Sequence, residues 1–94
     1  MIIEHDSQQH KFFARLGSGE EANLMYTEKG RVLDFYRVYV PDAFRGMGMA
    51  AQITTAAFEY AEANAYQVIP TCPYVSGTFL PKFQKFQKLV SPEK

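Results

Sequence analysis

The sequence predicts an α/β fold in which an antiparallel β-meander is followed by a helix and a parallel strand. Three apolar runs, residues 11–16, 22–27 and 31–40, are joined by short segments that contain glycine, as in strands linked by hairpins. Helical spacing follows over residues 48–64, and residues 66–71 form a fourth apolar run. Strand, helix and strand in this order predict a parallel pair, so we expect a mixed, four-stranded sheet.

The third run is apolar on both of its faces, which predicts a central strand covered on each side. Pro41 ends this strand because proline has no N–H group to donate to the sheet. The interpretation places Tyr36 in the core. One face carries Val32, Tyr36, Val38 and Val40, and the other carries Leu33, Phe35 and Tyr39.

The segment that follows the third run predicts one long helix and one short C-terminal helix. The residues four, eight and eleven positions after Met49 share one face of this helix, and we expect that face to be buried. Asn64 tolerates the left-handed conformation that often ends a helix. Residues 74–80 suggest a short helix before Pro81, and residues 82–88 repeat with a period of three. The stripe consists of Met49, Ile53, Ala57 and Tyr60, and the tail would align Phe83, Phe86 and Val90.

Length and charge limit the classes of function. A chain of 94 residues predicts one domain over residues 1–94, with one modest core. Ten basic residues balance ten acidic ones, so the net charge gives no overall attraction to nucleic acid or anionic membrane. We therefore expect no nucleic-acid partner, no membrane partner and no metal.

Cysteine usage and the N-terminal residues predict the compartment. Cys72 is the single cysteine and cannot form an intrachain disulfide, and a free thiol suits a reducing environment. The first residues lack the basic and apolar regions of a signal peptide, and no apolar run approaches the roughly 20 residues that span a bilayer. We expect an intracellular, cytoplasmic protein.

The glycine loop, residues 45–50, carries the most functional information. It lies between a buried strand and a helix, and the first turn of a helix has unpaired N–H groups that attract anions. Glycine lets an anion approach the backbone closely, and no carboxylate occurs between Asp42 and Glu59. The glycines would also suit a tight turn needed for packing alone. The loop reads Arg45, Gly46, Met47, Gly48, Met49 and Ala50.

Two common phosphate motifs fit the glycine loop poorly. A Walker A loop needs lysine and then serine or threonine after its second glycine, whereas Met49 and Ala50 follow Gly48. The dinucleotide-binding fingerprint needs an acidic residue about 20 positions further on. Residues 67–71 contain none, and too few residues follow Ala51 for a doubly wound sheet.

The glycine loop resembles the pyrophosphate signature of the GNAT acyltransferases, in which arginine or glutamine precedes x-x-Gly-x-Gly or x-x-Gly-x-Ala. Residues 38–41 and 69–75 resemble the minimal members of that family, which have roughly one hundred residues. Residues 79–81 are similar to the plant branch of that group. The resemblance covers residues 10–81 and implies the GNAT fold in a minimal version, with a splayed parallel strand.

The resemblance also implies a ligand and a reaction. Acetyl-CoA would place its pantetheine arm beside Val38, Tyr39 and Val40 and its pyrophosphate on the N–H groups of residues 45–50. An amine would attack the thioester, and a backbone N–H near Val40 would stabilise the oxyanion. The acceptor, a protein amine or a small molecule, is not specified.

Two departures from the larger family members affect this interpretation. Those members protonate the departing thiolate with a tyrosine at a position that corresponds approximately to Phe79, which has no proton to give. They also have acceptor-binding helices where this chain has only residues 17–21. We include Phe79 among the residues expected at the coenzyme.

Cys72 is the candidate catalytic residue. It follows the fourth strand at the edge where open α/β sheets bind ligands, and it matches the cysteine of the minimal family. It would act as a nucleophile that forms an acyl-cysteine, or as the acid that protonates the thiolate. The alternative is a small hydrophobic residue of the core.

The remaining polar candidates are weaker. Tyr74 and Ser76 are candidates for hydrogen bonds to the coenzyme or the acceptor. His5 and His10 lie in a segment without periodicity and are expected to be solvated. Lysines 82, 85 and 88 favour a solvated face over a contact with the 3′-phosphate.

Three function classes are compatible with these residues. The first is an acetyltransferase that moves an acetyl group from acetyl-CoA to an amine. The second is a coenzyme A-binding module or sensor with little turnover, which the Phe79 position favours. The third is an interaction protein that keeps the fold without the ligand, which the intact glycine loop disfavours.

Overall fold

The structure is a computed structural model that describes residues 1–92. These residues form one mixed sheet of five strands in chain order, with the first four antiparallel and the last parallel to its neighbour. The mixed sheet is confirmed, whereas the predicted number of four strands is wrong. The strands are β1 (Glu4–Asp6), β2 (Lys11–Arg15), β3 (Glu21–Lys29), β4 (Val32–Tyr39) and β5 (Gln67–Ile69).

Strand β1 escapes prediction because it has three polar residues and no apolar alternation. Its pairing with β2 places His5 opposite Phe12, where the two rings stack with their centroids 4.0 Å apart. His5 Nε2 lies 2.7 Å from the Tyr26 hydroxyl oxygen, and its ring meets Tyr60 edge-on. The expectation that His5 is solvated is therefore wrong, because sheet pairing turns its side chain toward the core.

The His5 contact makes stability depend on pH. Burial lowers the pKa of His5 below its ordinary value of 6.5, and burial also raises the pKa of Tyr26 to about 12. The unfolded chain therefore binds the His5 proton more tightly than the folded chain does. The stability contributed by neutral His5 is complete above pH 6.5 and is lost as the pH falls through the lowered, folded-state pKa.

We expect the unfolding free energy of the wild type to fall more than that of His5→Gln when the pH is lowered from about 7.5 to about 5. Chemical denaturation of both proteins at the two pH values measures this difference, and carboxylates common to both cancel. An identical pH dependence in the two proteins would show that folding does not shift the pKa of His5, which would contradict the lowered value.

A β-bulge interrupts the pairing of β3 with β4. Tyr26 lies opposite Phe35 and Met25 lies opposite Arg37, so Tyr36 is an extra residue on β4. An extra residue bends the strand and shifts the alternation of side chains by one position. The part of β4 after the bulge is thereby turned relative to the part before it.

The bulge overturns the predicted faces of β4. Leu33 and Phe35 are fully buried, Val38 packs partly buried against the same core, and Tyr36 is 43% exposed. A strict alternation places Phe35 and Val38 on opposite faces and Tyr36 beside Val38. The extra residue reverses this relation, so the prediction that Tyr36 is buried is wrong.

Helix α1 (Met49–Ala63) covers one face of the sheet and contacts strands β2 to β5. Ile53 and Ala57 are fully buried as predicted, whereas Met49 and Tyr60 are only partly buried. The predicted stripe lies at one border of the buried face. The fully enclosed residues of this helix are Ile53, Thr54, Ala57, Phe58 and Ala61.

The left-handed residue after α1 is Ala65, with φ of 60°, rather than Asn64, whose φ is −110°. Asn64 instead caps the helix end, because its side-chain amide donates to the Tyr60 carbonyl oxygen at 2.9 Å. The prediction therefore found the end of the helix but assigned the left-handed conformation one residue too early.

Shortening Ile53 to alanine tests the packing of α1. Ile53 is fully buried, so Ile53→Ala removes apolar contacts and leaves a cavity, which costs about 2–5 kcal/mol of unfolding free energy. Guanidinium denaturation measures the loss. Glu59→Ala, an exposed change on the same helix, is the control and should stay within about 0.5 kcal/mol of wild type. A loss well below 1 kcal/mol for Ile53→Ala would contradict the assigned core.

The chain after β5 is helical but departs from the α-helix. A π-helical stretch (Val75–Phe79) leads into the short helix α2 (Leu80–Lys82), and a 3₁₀ helix (Gln84–Leu89) follows. The period of three in the tail matches the three residues per turn of a 3₁₀ helix. Of the three aligned tail residues, Phe86 is buried, and Phe83 and Val90 are partly buried against the core.

Candidate active site

A cavity of about 410 Å³, one of several of similar size, opens between the end of β4, the glycine loop, the start of α1 and the helical segment after β5. We call it the main cavity because the glycine loop lines it. Each wall comes from a different part of the chain, so the fold assembles the cavity. It is lined by Val38, Val40, Phe44, Arg45, Gly46, Gly48, Met49, Ala50, Ala51, Tyr74, Thr78 and Lys82.

The cavity exists because β4 and β5 diverge. Strand β4 continues to Tyr39, whereas its pairing with β5 ends where Asp34 meets Ile69. One further bond, from the Cys72 N–H to the Phe35 carbonyl oxygen at 2.9 Å, holds the two chains together at the fork. Beyond that point the chain after β5 turns away into the π-helical stretch, which confirms the predicted splay.

The glycine loop has the geometry of an open helix start. Gly46 and Gly48 have φ of 82° and 79°, in the left-handed region that favours glycine. Gly48 is the N-cap residue of α1, no side chain caps the first turn, and that turn has no acidic residue. A Cβ built on Gly46 would meet nothing within 4 Å, so the loop backbone borders open space. Unpaired N–H groups there can receive an anion.

Arg45 fastens the glycine loop to the end of β4. Its Nε donates to the Val40 carbonyl oxygen at 3.0 Å, and its Nη1 lies 3.1 Å from Asp42 Oδ1. Asp42 begins a single 3₁₀ turn (Asp42–Phe44) that connects the strand to the loop. The Arg45 charge is therefore shared with a carboxylate.

The π-helical stretch sets which residues face the cavity. Tyr74, Thr78 and Lys82 are spaced four apart, and all three line the cavity. Because a π-helical turn is wider than an α-helical one, residues four apart stay aligned through it. The opposite side of this segment is buried in the core through Val75 and Phe79.

Tyr74 is a titratable side chain of this wall, and burial changes its pKa. Partial burial raises the pKa of the Tyr74 hydroxyl, and the nearby Cys72 thiol adds to the increase. The hydroxyl therefore keeps its proton at neutral pH. It can act as a hydrogen-bond or proton donor to a group in the cavity.

Eight of the residues predicted at the coenzyme line the main cavity, and the other predicted residues do not. The Tyr39 ring is 37% exposed beneath the Arg37 guanidinium, and Met47 is 61% exposed. Ser76 Oγ donates to the Cys72 carbonyl oxygen at 3.5 Å, and Phe79 is fully buried. Contacts of these side chains with a ligand stay predictions.

Phe79 belongs to the core, which explains why it offers no chemistry to the cavity. Its ring stacks on Phe58 at 5.4 Å and on Phe83 at 4.5 Å. Sequence reasoning missed four lining residues: Phe44, Ala51, Thr78 and Lys82. The spacing of four from Tyr74 is the signal that would have identified Thr78 and Lys82.

Cys72 lies at the fork but not on the surface of the cavity. Its side chain is 7% exposed within the core, and its carbonyl oxygen accepts the N–H groups of Val75 and Ser76. Tyr74, next but one in the chain, occupies the cavity wall instead. A catalytic role for Cys72 stays a prediction.

Residues 1–92 offer no metal-binding cluster and no membrane-spanning helix. No group of three or more histidine, cysteine, aspartate or glutamate side chains is arranged to hold a metal ion in this part of the chain. No helix in the same range has the length and apolar character needed to cross a bilayer.

The fold resembles a solved structure of a GCN5-like protein from Staphylococcus aureus, determined by NMR in solution. The superposition has a TM-score of 0.70 and covers 99% of this chain and 90% of that one, at 18% sequence identity. This likeness shows the fold alone, a mixed sheet with helices in a GNAT-like arrangement.

Sequence comparison adds relatives of higher identity. The mouse protein named Protein NATD1 is 36% identical over 75 residues, which are 78% of this chain and 68% of the mouse protein. The human protein of the same name is 35% identical over 75 residues, 66% of its length. The chain thus spans about two thirds of these relatives. The likeness to the plant branch stays a prediction.

The family model described as GCN5-related N-acetyl-transferase matches residues 11–89, which include every strand after β1 and all residues of the main cavity. This match and the vertebrate relatives agree with the fold and with the glycine loop. The chain therefore belongs to the GCN5-related N-acetyltransferase family.

Proposed function

We propose that this protein binds acetyl-CoA in the main cavity and transfers the acetyl group to an amine. The observation that carries the proposal is the junction of a diverging strand pair and an uncapped, glycine-opened helix start in one cavity. Family membership supports an acyltransferase that uses acetyl-CoA.

The pyrophosphate fits the glycine loop. Gly46 and Gly48 leave the backbone accessible, and the first turn of α1 presents N–H groups without a capping side chain. The N-terminus of a helix also carries a partial positive charge equivalent to roughly half an elementary charge. The unpaired N–H groups and the partial positive charge both favour an anion over a neutral ligand.

The pantetheine arm fits the free edge of β4. Beyond Phe35, β4 continues without a β5 partner, so its N–H and C=O groups on that side are free to pair with an extended chain. Val38 and Val40 provide an apolar wall, and Tyr74 and Thr78 stand on the other side. A cavity of about 410 Å³ is within the range that holds small ligands.

The reaction is a direct acyl transfer. The lone pair of a neutral amine attacks the thioester carbonyl carbon, a C–N bond forms, and the C–S bond breaks. A backbone N–H near Val40 would stabilise the oxyanion, as the family resemblance implies. The amine gives up a proton, and the departing thiolate takes one.

Tyr74 is the best-placed donor for the thiolate. Tyr74 lines the cavity at the fork, and its hydroxyl is protonated at neutral pH, since burial raises a pKa whose ordinary value is already 10.0. Phe79, the position that aligns approximately with the family acid, is buried and has no proton. We infer that the acid function lies five residues earlier, on the exposed side of the helical segment.

A second candidate is a coenzyme-binding module with little turnover. The observation that favours it is the short connection of residues 16–20 between β2 and β3, where larger members hold the acceptor. The cavity would then bind the coenzyme without a dedicated site for an amine.

Two measurements on the full chain distinguish these proposals. Calorimetry with acetyl-CoA tests binding, and a thiol-release assay with polyamines, lysine peptides and small amines tests transfer. Binding with amine-dependent thiol release supports the acetyltransferase. Binding without release for every amine supports the module. Absence of binding by a folded chain would contradict both.

A further inference from the structure

We propose that Lys82 is the side chain that binds the coenzyme pyrophosphate, and that Arg45 holds the loop rather than the ligand. This assignment rests on the proposed function, because it concerns how the same cavity recognises acetyl-CoA. It reverses the expectation from sequence, in which Arg45 accompanies the phosphate and Lys82 belongs to a solvated face.

Two nitrogen atoms of the Arg45 guanidinium already have partners in the protein. Its Nε–H bonds to the Val40 carbonyl oxygen at 3.0 Å, and its Nη1 contacts the Asp42 carboxylate at 3.1 Å. Both partners belong to the chain that leads into the glycine loop. Redirecting Nε and Nη1 to a phosphate would break these contacts and leave the Val40 carbonyl oxygen without this donor.

Lys82 is the cation with freedom to bind. It lines the same cavity as Gly46 and Gly48, and the structure records no ion pair for it within residues 1–92. By contrast, Lys88 is paired with Glu62 at 2.8 Å. Lys82 therefore has no internal carboxylate to give up when an anion enters the cavity.

The position of Lys82 along the cavity favours the pyrophosphate over the thioester. Its neighbour Phe83 shares a second surface depression with Ala51 and Gln52, in the first turn of α1. Tyr74 begins the same wall at the strand fork, eight residues earlier in the chain. The helical segment thus leads from the fork toward the depression that Phe83 shares with the first turn of α1, and Lys82 lines the main cavity together with Gly48 and Met49 at the helix N-terminus.

The charge balance supports the same conclusion. A pyrophosphate diester carries two negative charges, whereas a helix N-terminus supplies only about half a positive charge. Lys82 adds a whole positive charge to the open first turn of α1, which has no acidic residue. A lysine can act here because it approaches a phosphate as a flexible point charge.

Lys82→Gln tests the assignment, with Lys85→Gln as the matched control. Lys85 lies three residues further on, stands over the Phe86 ring and does not line the cavity. Calorimetry with coenzyme A and with 3′-dephospho-coenzyme A at low and high salt provides the readout. Thermal unfolding of both variants checks that the fold is retained.

We expect Lys82→Gln to weaken both ligands by about tenfold at low salt and to reduce the dependence of affinity on salt, relative to Lys85→Gln. Equal affinities and salt dependence in the two variants would overturn the assignment. A loss seen with coenzyme A but absent with the dephospho form would also overturn it, because the contact would be to the 3′-phosphate. If the folded wild type binds neither ligand, the proposed function itself fails.

Discussion

Replacing Gly48 with glutamate is expected to abolish acetyl-CoA binding, a loss of more than about hundredfold in affinity. Gly48 is the N-cap residue of α1 and borders the main cavity. The glutamate would bring a carboxylate to the N–H groups that are proposed to bind the pyrophosphate. A Cβ at this position meets only Gln52 Nε2, at 3.8 Å, so the new side chain has room to enter the site.

The left-handed backbone of Gly48, with φ of 79°, makes any side chain strained, so a control must carry similar strain. Gly30 has φ of 60°, lies in the turn between β3 and β4, and has nothing within 4 Å of a Cβ. Calorimetry should show normal binding for Gly30→Glu and none for Gly48→Glu, with both proteins folded by circular dichroism. Normal binding by a folded Gly48→Glu would contradict the phosphate site.

Removing the Tyr74 hydroxyl is expected to lower kcat about 10²-fold while leaving coenzyme affinity nearly unchanged. The hydroxyl borders the cavity and remains protonated at neutral pH, so Tyr74→Phe removes the proton for the departing thiolate and keeps the ring. Stopped-assay turnover and calorimetry measure the two quantities. Tyr60→Phe, on α1 and outside the cavity lining, is the matched control.

The competing assignment places the chemistry at Cys72. If Cys72 is the nucleophile, the wild type carries an acetyl group on this thiol after incubation with acetyl-CoA, and mass spectrometry detects it. If Cys72 is the acid, the wild type carries no acetyl group on this thiol, and Cys72→Ala nevertheless loses turnover. Full activity of Tyr74→Phe together with inactivity of Cys72→Ala would contradict the role given to Tyr74.

The parts of the fold that follow from local pattern could be predicted from the sequence. The glycine turns, the helical spacing of Ile53 and Ala57 and the strand after the helix each reflect a few neighbouring residues. The glycine loop could be identified because a helix start with two glycines and no carboxylate has a direct physical meaning.

The parts that depend on partners distant in the chain could not be predicted. The bulge at Tyr36 is visible only when β3 is paired with β4, and β1 exists because Phe12 and Tyr26 enclose His5. The π-helical stretch ends at Phe79, whose ring stacks on Phe58, a residue of α1 distant in the chain. These contacts decide which side chains face the cavity, so Thr78 and Lys82 were missed as lining residues, and Phe79, expected at the coenzyme, lies in the core.

A crystal structure of the chain with acetyl-CoA tests the central claim most directly. The account predicts pyrophosphate oxygens about 2.7–3.2 Å from backbone nitrogen atoms of residues 46–50, with the pantetheine arm beside Val38 and Val40. The thioester should lie nearest to Tyr74. Coenzyme bound elsewhere on the chain, with the glycine loop and the free edge of β4 unoccupied, would contradict the account.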